Sequence, residues 1–524
     1  MTSTLKTTSA ICGLVLGATG LPAMASDITL RSISGTMSLT GEYVDFIDDV
    51  YVVRTTLGDI RVPADTVTCE GEACRTFGDE PEFVQIRGSD TLGFGFMPLL
   101  LDGYAGHDNA LATFEKGQLE NELYASIVGD DGYGEEMPGF KVTSTGSSDA
   151  FTTLLDGRAE IGMSSRRIRA NEARALRDAG GGNMVSPTQE HIVAVDSVIV
   201  VVHPDNPVQE LTTAELAGIF SGRYRNWQEL GGDDMPITLV VRPFQSGTRE
   251  VFNDEIFGGV EAPIVEGALI GTDDNNASAL VSAIEGAISY VGHAFKRGAK
   301  DVSLVNGCGL TMAPDAFSVR TEEYALQRRL YLYHRADKLS AASEDFIDYA
   351  LSPDADGVIR KAGFIDLGVD RQPQSLDGDR ARQLLQPVSD PYEGGVMREM
   401  LGMMVDNERL STTFRFRTGS SSLDERGEID MVRLIDFLSD VREGSKVTFV
   451  GFTDDVGPFD GNRDLSRDRA RQVMNEMLRM AGGRLPNIET AVAGFGEVAP
   501  AGCNTTDRGR AINRRVEVWL NEPA

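Results

Sequence analysis

The first part of the chain alternates apolar and polar side chains. Within residues 26–81, the segments Ile28-Thr-Leu-Arg-Ser-Ile, Tyr51-Val-Val-Arg-Thr-Thr and Asp59-Ile-Arg-Val follow this period of two. Such alternation is typical of half-buried β-strands. The pattern predicts a small β module, which we interpret as an interaction or spacer module without chemistry of its own.

Residues 82–370 alternate short β-branched runs with helical patterns. Val198-Ile-Val-Val-Val is typical of a buried strand, and the segments Thr213 to Phe220 and Arg249 to Ile256 predict helices. Alternating strands and helices indicate α/β layers around a parallel sheet. At this length the region is large enough for two lobes.

Residues 371–410 are predicted to be a linker. The breakers Gln372-Pro-Gln, Gln386-Pro and Asp390-Pro interrupt regular structure, and only Val396 to Val405 offers a short Met-rich helix.

From residue 411 to residue 524 the pattern is that of a compact α+β domain. The elements it predicts are strands at Thr413-Phe-Arg-Phe, Lys446-Val-Thr-Phe-Val and Arg515-Val-Glu-Val-Trp-Leu, and helices at Asp424 to Val441 and Arg463 to Met480.

Composition and charge narrow the function. With 41% hydrophobic and 7% aromatic residues among 524, wholesale disorder is excluded. The net charge of -31 argues against nucleic acid and against anionic lipid as partners, because both require a basic face. The same charge has the wrong sign for an anionic ligand, unless that ligand is held by short-range contacts inside a cleft.

The first 25 residues are typical of a secretory signal. Lys6 provides a positive start, Ser9 to Leu21 is mostly apolar or small, and Ala23-Met24-Ala25 is a cleavage site. The alternative, a membrane-anchoring helix, is disfavoured because this stretch is shorter than the about 20 residues that span a bilayer. No later stretch reaches that length, so we expect an exported protein without a membrane span.

Removal of Cys12 with the signal leaves four cysteines in an oxidising compartment. Cys69 and Cys74 flank a four-residue loop and predict a disulfide. Cys308 and Cys503 either pair across domains or remain buried and free, and the sequence leaves both open. No histidine cluster accompanies a cysteine, so we expect no metal site and no cofactor.

Three segments share a chemistry suited to an oxyanion. They are Arg87-Gly-Ser-Asp-Thr-Leu, Ser144-Thr-Gly-Ser-Ser-Asp-Ala and Arg242-Pro-Phe-Gln-Ser-Gly-Thr-Arg-Glu. Each places Gly with Ser or Thr where a helix begins, so that free N–H groups and hydroxyls face an anion. One such segment alone is more typical of a helix cap. Three in one region, one of them led by Arg242, favour a binding site.

Enzymatic function is disfavoured. The five histidines show no paired spacing, and no Ser stands in a nucleophile-elbow pattern. We therefore expect a binding protein rather than an enzyme.

The region from about Val84 to Leu367 resembles a PstS-type periplasmic phosphate-binding protein. The resemblance rests on Leu211-Thr-Thr-Ala-Glu-Leu-Ala-Gly-Ile-Phe-Ser-Gly, on Arg225-Asn-Trp-Gln-Glu-Leu-Gly-Gly and on the Arg-x-x-x-Ser-Gly-Thr segment that follows. It implies two α/β lobes that close on the ligand at a hinge, with Val195-Asp-Ser-Val-Ile-Val similar to a strand that crosses between the lobes.

The resemblance also implies the ligand and its contacts. Carried over by position, the residues that bind inorganic phosphate or a similar oxyanion are Ser89, Thr91, the amide of Leu92, Ser147, Ser165, Arg242, Ser246, Gly247 and Thr248.

One position departs from the family pattern. Ser165 stands where the family often has an Asp that accepts the proton of hydrogen phosphate and so rejects sulfate. A hydroxyl donates as well as accepts, so selectivity is open. Asp90 or Asp149 is our hypothesis for a replacement proton acceptor. Arg166 or Arg167 either adds positive charge to the site or is solvated or ion-paired.

Residues Ser411 to Leu520 resemble an OmpA-like peptidoglycan-binding domain. The motifs are Val450-Gly-Phe-Thr-Asp-Asp-Val-Gly, Asn462-Arg-Asp-Leu-Ser-Arg-Asp-Arg-Ala and Asn504-Thr-Thr-Asp-Arg-Gly-Arg-Ala-Ile-Asn-Arg-Arg-Val-Glu. The resemblance implies recognition of diaminopimelate, which carries an amine and a carboxylate, in the stem peptide.

By position, Asp454 and Arg469 supply the fixed anion and the fixed cation of that site. The residues implied to line the rest of the pocket are Thr453, Asn462, Leu465 and Arg514. The alternative for Asp454 and Arg469 is a structural ion pair, which contributes little if exposed.

We therefore expect an α/β two-lobed periplasmic-binding-protein fold, preceded by the β module and followed by an α+β OmpA-like domain. The expected function is capture of phosphate for ABC-type transport or sensing, with a transporter permease as partner, in the periplasm of a Gram-negative bacterium and anchored to peptidoglycan. The alternatives are an envelope structural protein whose receptor domain no longer binds a small anion, and a secreted phosphate-ester hydrolase.

Overall fold

A computed structural model describes residues 27–32, 37–47, 50–56, 58–63, 66–71, 74, 83–129, 136–260, 262–376, 378–416, 423–485 and 487–523. The predicted signal peptide, residues 1–25, lies outside the described residues. The chain divides into two compact units, one up to Pro81 and one from Glu82 onward. In the described part, no helix combines the length and the apolar character needed to cross a bilayer.

The first unit is an antiparallel sheet of five strands. They are β1 (Asp27–Ser32), β2 (Ser38–Ile47), β3 (Val50–Thr55), β4 (Gly58–Pro63) and β5 (Val67–Glu70), in the order β4-β3-β2-β1-β5. The alternation seen in the sequence buries Ile28 and Leu30 from β1 against Tyr51 and Val53 from β3. The predicted disulfide between Cys69 and Cys74 is confirmed.

The second unit begins with a large mixed sheet. Its strands are β6 (Val84–Gly88), β7 (Ala110–Lys116), β8 (Glu122–Gly129), β9 (Glu136–Ser144), β10 (Ile161–Ser164), β11 (Glu190–Val202), β12 (Glu210–Thr212), β13 (Thr238–Val241), β14 (Leu269–Ile270), β15 (Ala287–Gly292), β16 (Lys300–Val305), β17 (Thr311–Met312) and β18 (Gln327–His334).

Among the described residues, nine helices cover this sheet. They are α1 (Met97–His107), α2 (Ser147–Asp156), α3 (Ala170–Asp178), α4 (Thr213–Phe220), α5 (Gly247–Ile256), α6 (Asp274–Ala283), α7 (Ala316–Arg320), α8 (Ala341–Leu351) and α9 (Asp356–Lys361). The predicted helix from Thr213 to Phe220 is confirmed as α4, which begins at the capping box of Thr212 and Glu215. The predicted helix from Arg249 to Ile256 is confirmed within α5.

The sheet is parallel only in part. Its strand order is β14-β13-β15-β11-β18-β10-β6-β9-β8-β7, with β16 beside β11. β6 pairs in parallel with β9 and β10, whereas β7, β8 and β9 pair antiparallel. The sequence predicts a parallel sheet, and the difference arises because β8 returns from β7 by a short connection instead of a helical crossover.

Two lobes meet at β11, which is 13 residues long. Its first half pairs with β18 up to Ser197, and its second half pairs with β15 from Val198 onward. Lobe 1 contains β6–β10 with α1–α3, α8 and α9, and lobe 2 contains β12–β17 with α4–α6. The chain passes from lobe 1 to lobe 2 within β11 and returns at the start of β18, which makes these strands the hinge.

The C-terminal domain follows directly. Its elements are β19 (Arg371–Pro373), α10 (Asp379–Leu384), α11 (Pro391–Asp406), β20 (Glu408–Arg415), α12 (Glu425–Ser439), β21 (Lys446–Gly451), α13 (Phe459–Ala481), β22 (Glu489–Gly494), α14 (Asp507–Asn513) and β23 (Arg515–Asn521). The sheet has the order β19-β20-β23-β21-β22. α12 and α13 cover one face through Leu434, Ile435 and Val473.

The predicted linker, residues 371–410, is instead part of this domain. β19 pairs with β20, and α11 buries Val396, Met400 and Met404 against Phe452 and Trp519 on the second face of the sheet. The breakers were misleading because Pro391 occupies the first turn of α11, where proline is tolerated.

Glu517 is the centre of a buried charge network on the same face. Its fully buried carboxylate accepts hydrogen bonds from Arg380 and Arg515 at 2.8 Å and lies 3.0 Å from Nε of Arg409. Burial alone would raise the pKa of Glu517, but the three guanidinium groups outweigh it and hold that pKa well below the usual range.

The network continues into the receptor region through two neighbouring carboxylates. Arg409 donates to Glu323 at 2.6 and 3.0 Å, and Glu322 accepts from Arg329 at 2.6 Å and from Arg415 at 3.3 Å. Burial opposes ionisation of Glu322 and Glu323, yet the arginines hold both pKa values at about 2. The C-terminal domain is therefore docked on the receptor by buried ion pairs.

Acid should release this docking. The pKa of Glu322 lies below its value of about 4.3 in an unfolded chain, so its stabilising contribution is complete above that pH and is lost as the pH falls towards about 2. We expect Glu322→Gln to lower stability by about 3 kcal/mol at pH 7, since it removes an acid partner from both Arg329 and Arg415. Thermal unfolding should show the gap to wild type closing below pH ~4.

Glu476→Gln is the matched control for this prediction, because Glu476 pairs with Arg479 on the exposed surface of α13. Its unfolding temperature should follow wild type at every pH. A Glu322→Gln deficit that stays constant between pH 7 and pH 3 would contradict the assigned pKa.

Candidate functional site

The three predicted oxyanion segments lie at the ends of neighbouring strands and meet between the lobes. The first follows β6 and the second follows β9, both in lobe 1, and the third follows β13 in lobe 2. Gly247 at the start of α5 packs against the hydroxyls of Ser165 and Ser147, to which a Cβ atom would come within 2.2 and 2.6 Å. A Cβ atom at this position would force both hydroxyls to move, so glycine suits this approach of the lobes.

Ser147 and Ser165 form the lobe 1 side of that contact. Their Oγ atoms are 3.0 Å apart, and the amide of Ser165 donates to Oγ of Ser147 at 3.0 Å. Both side chains are buried. The structure therefore brings the second segment, the position after β10 and the third segment together.

Arg242 joins the lobes by charge. Its guanidinium is fully buried and donates to Asp90 from lobe 1 and to Asp274 from lobe 2, while its Nε donates to the carbonyl of Gly271 at 3.2 Å. Burial by itself would lower the pKa of Arg242, but Asp274 and Asp90 outweigh it and raise that pKa.

Two threonine hydroxyls, one from each lobe, share the same charged partners. Thr91 and Thr248 donate to Asp274 at 3.3 and 3.2 Å. Arg328 donates to Thr248 at 2.8 Å and to Thr91 at 3.4 Å. Arg328 is itself held by the buried Asp196, at 2.6 and 2.9 Å.

The remaining predicted residues of this site occupy less central positions. Leu92 is buried at the start of the helical turn Leu92–Phe96. Ser89 is buried, and its hydroxyl has no hydrogen-bond partner among the described residues. Ser246 caps α5 by accepting from the amide of Arg249 at 3.4 Å. Its hydroxyl therefore acts as a helix cap, which was the alternative to a binding role for such segments.

Arg166 and Arg167 are ion-paired and do not add free charge to the site. Arg167 lies 2.8 Å from Glu190. Arg166 pairs with Glu172 in lobe 1 and with Glu250 on α5 in lobe 2, both at 2.7 Å. The pair with Glu250 is a second ionic contact between the lobes.

The second candidate site lies at one end of the C-terminal sheet. Asp454 follows β21, and its Oδ2 is 2.6 Å from Nη1 of Arg514. Asp454 is thus paired with Arg514 and not with Arg469. Asn462 on α13 donates to the carbonyl of Asp454 at 3.3 Å, and Thr453 donates its amide to Gly496.

The guanidinium of Arg469 on α13 is a cation that forms no ion pair with an acidic side chain among the described residues. It lies 5.7 Å from the ring of Phe416, and its Nη1 is buried without a hydrogen-bond partner in the described part. Burial and the charge of Arg514 lower the pKa of Arg469. Leu465, also on α13, is exposed. The site offers one carboxylate and one unsatisfied guanidinium.

Comparison with known proteins identifies both regions. Residues 120–354 match the model of a PBP superfamily domain, and residues 415–514 match the OmpA family. The phosphate-binding protein PstS of Bacillus subtilis is 31% identical over 238 residues, which cover 44% of this chain and 73% of that protein. The chain belongs to the PstS phosphate-binding protein family.

Further relatives of the PstS domain are also known. PstS of Pseudomonas aeruginosa is 30% identical over 247 residues, which cover 43% of this chain and 74% of that protein. An ABC-type phosphate transport receptor from Vibrio cholerae has a solved structure with a TM-score of 0.40 and 22% identity, covering 54% of this chain and 99% of that chain.

Sequence reasoning missed three residues in the PstS domain: Asp196, Asp274 and Arg328. The available signal was a charged residue inside an apolar strand, since Asp196 interrupts the run that becomes β11 and a buried charge requires a partner. Within the described ranges, no group of three or more His, Cys, Asp or Glu side chains is arranged to hold a metal ion.

Proposed function

We propose that this protein binds phosphate between its two lobes. The proposal rests on one observation: Thr91 from lobe 1 and Thr248 from lobe 2 share the partners Asp274 and Arg328 in a buried cluster. A ligand at this point contacts both lobes at once. The names of the PstS relatives as phosphate-binding proteins support phosphate as that ligand.

The charges of the cluster indicate how the anion is held. Arg242 and Arg328 face Asp90, Asp196 and Asp274, so the five groups carry no net positive charge. Attraction by bulk charge is therefore replaced by hydroxyl and amide donors at short range, strengthened by burial. The amides at the start of α5 add the positive end of a helix dipole.

Asp90 is the better of the two hypothetical proton acceptors for hydrogen phosphate. Its Oδ2 accepts from Arg242, and its Oδ1 is buried with no hydrogen-bond partner in the described part of the chain. Asp149 is half-buried and already accepts from the hydroxyl of Thr145 at 2.6 Å. An acceptor oxygen without a donor suits a ligand that carries a proton.

The C-terminal domain is proposed to bind peptidoglycan. Arg469 would receive the carboxylate of diaminopimelate, because its guanidinium lacks an acid partner among the described residues. Asp454 would receive the amine, in competition with Arg514. The other predicted pocket residues lie on the same elements: Thr453 follows β21, beside Asp454, and Asn462 and Leu465 are on α13, like Arg469.

We further propose that the protein is a periplasmic binding protein of a Gram-negative bacterium, exported by its signal and anchored to the wall, that delivers phosphate to an ABC transporter permease or reports its presence. We place it among binding proteins, not enzymes. The alternative is an envelope structural protein that no longer binds a small anion. The observation in its favour is that Arg242 and Arg328 are already paired with carboxylates of the same cluster.

Calorimetric titration with phosphate tests the first proposal. We expect micromolar or tighter binding, and a 10- to 100-fold weaker affinity for Thr248→Val, roughly the effect of losing one hydrogen bond to a charged ligand. Thr152→Val, at an exposed position on α2, is the control and should bind like wild type. Absence of binding at micromolar phosphate would favour the structural alternative.

Asp90→Asn tests whether Asp90 accepts the proton of hydrogen phosphate. The amide donates where the carboxylate accepts, so the preference for phosphate over sulfate should narrow by about tenfold or more in competition titrations. Asp149→Asn should leave the preference unchanged. A protein with both substitutions that kept its full preference for phosphate would disprove the hypothesis.

Peptidoglycan binding is tested by co-sedimentation with purified sacculi. Asp454→Ala and Arg469→Ala should each reduce the bound fraction by about tenfold or more, because each removes one of two charged contacts. Arg479→Ala provides a control on the exposed surface of α13. Sedimentation that none of these substitutions changes would remove the anchoring proposal.

A further inference from the structure

The C-terminal domain contacts both lobes of the receptor. On lobe 2, Cys503 forms a disulfide with Cys308, and Arg508 on α14 lies 2.6 Å from Glu255 on α5. On lobe 1, Arg433 on α12 donates to both oxygens of Asp356, at 2.9 and 2.8 Å, at the start of α9.

The contact on lobe 1 is more than a surface ion pair. The side chains of Arg433 and Asp356 are 10% and 13% exposed, and Arg433 also donates to the carbonyl of Leu351 at the end of α8 at 3.1 Å. Two helices of lobe 1 are thus held by one arginine, and solvent screening of the pair is reduced.

Between these two points the domain lies along the hinge. Arg415 donates to the carbonyl of Thr321 at 2.7 Å, and Arg409 pairs with Glu323, just before the chain re-enters lobe 1. Arg329 on β18 lies 3.2 Å from Asp424 at the start of α12. The C-terminal domain therefore spans the hinge from one lobe to the other.

The lobes are closed in this arrangement. Arg242 of lobe 2 reaches Asp90 of lobe 1, and Glu250 of lobe 2 reaches Arg166 of lobe 1. Opening separates the lobes about β11 and β18. Because a disulfide fixes the C-terminal domain to lobe 2, the domain cannot follow lobe 1, and the contact of Arg433 with Asp356 must break.

We propose that Arg433 and Asp356 are positioning residues for phosphate capture, which hold the lobes closed through the C-terminal domain. The inference rests on the proposed phosphate function. A contact made only in the closed state shifts the equilibrium towards it and raises the apparent affinity of a ligand that binds that state. Because the coupling is reciprocal, a mechanical force that pulls the C-terminal domain away from lobe 1 weakens phosphate binding.

The test uses the full chain with Arg433→Gln and, separately, Asp356→Asn. Each should raise the phosphate dissociation constant by about tenfold and accelerate phosphate release in stopped-flow measurements. Arg484→Gln is the matched control, since Arg484 pairs with Asp436 on the surface of the same domain. The charge exchange of Arg433→Asp with Asp356→Arg should restore part of the affinity.

Thermal unfolding of each variant separates positioning from a folding defect. Faster release with an unfolding temperature close to that of wild type supports the inference. Equal affinity and release in wild type and both single variants overturns it, while the proposed function stands. If wild type itself binds no phosphate, the proposed function and this inference both fail.

Discussion

A single buried cation dictates how the receptor is arranged. Arg242 has no contact with solvent, and a guanidinium can be buried only if carboxylates and carbonyls satisfy its donors. Its two acid partners come from different lobes, so pairing the charge and bringing the lobes together are the same event. The close approach of Gly247 to Ser147 and Ser165 follows from that event.

The same rule explains how the acidic character of the chain is used. At three contacts with the C-terminal domain, the receptor supplies the carboxylate and the C-terminal domain supplies the arginine: Glu323 with Arg409, Asp356 with Arg433 and Glu255 with Arg508. The pair of Arg329 with Asp424 has the opposite polarity. The net charge of -31 is therefore not only a solvated surface. Part of it forms the interface that turns two domains into one compact unit.

Local signals in the sequence were sufficient to predict most of the helices and strands and part of the candidate phosphate site. α4 and the disulfide of Cys69 with Cys74 were predictable, because caps, alternation and turn chemistry act over a few residues. The three Ser- and Thr-rich segments could each be marked by helix-cap chemistry, whereas their meeting in one site was implied by the resemblance to the PstS family. Asp274 and Arg328 were not predictable, since their roles depend on partners distant in the chain: Thr91 lies 183 positions from Asp274, and Thr248 lies 80 positions from Arg328. The prediction of a linker at residues 371–410 was wrong for a related reason, because α11 is stabilised by packing against the distant Trp519.

The disulfide between Cys308 and Cys503 joins positions 195 residues apart. The peptide chain and this bond form a closed ring that contains the end of the receptor, the hinge strand β18 and most of the C-terminal domain. A protease that cuts the chain once anywhere inside the ring leaves the two fragments covalently joined. The receptor would therefore stay attached to its C-terminal domain after a single cleavage within the ring, and only a second cut within the ring or reduction of the bond would separate the receptor from most of that domain.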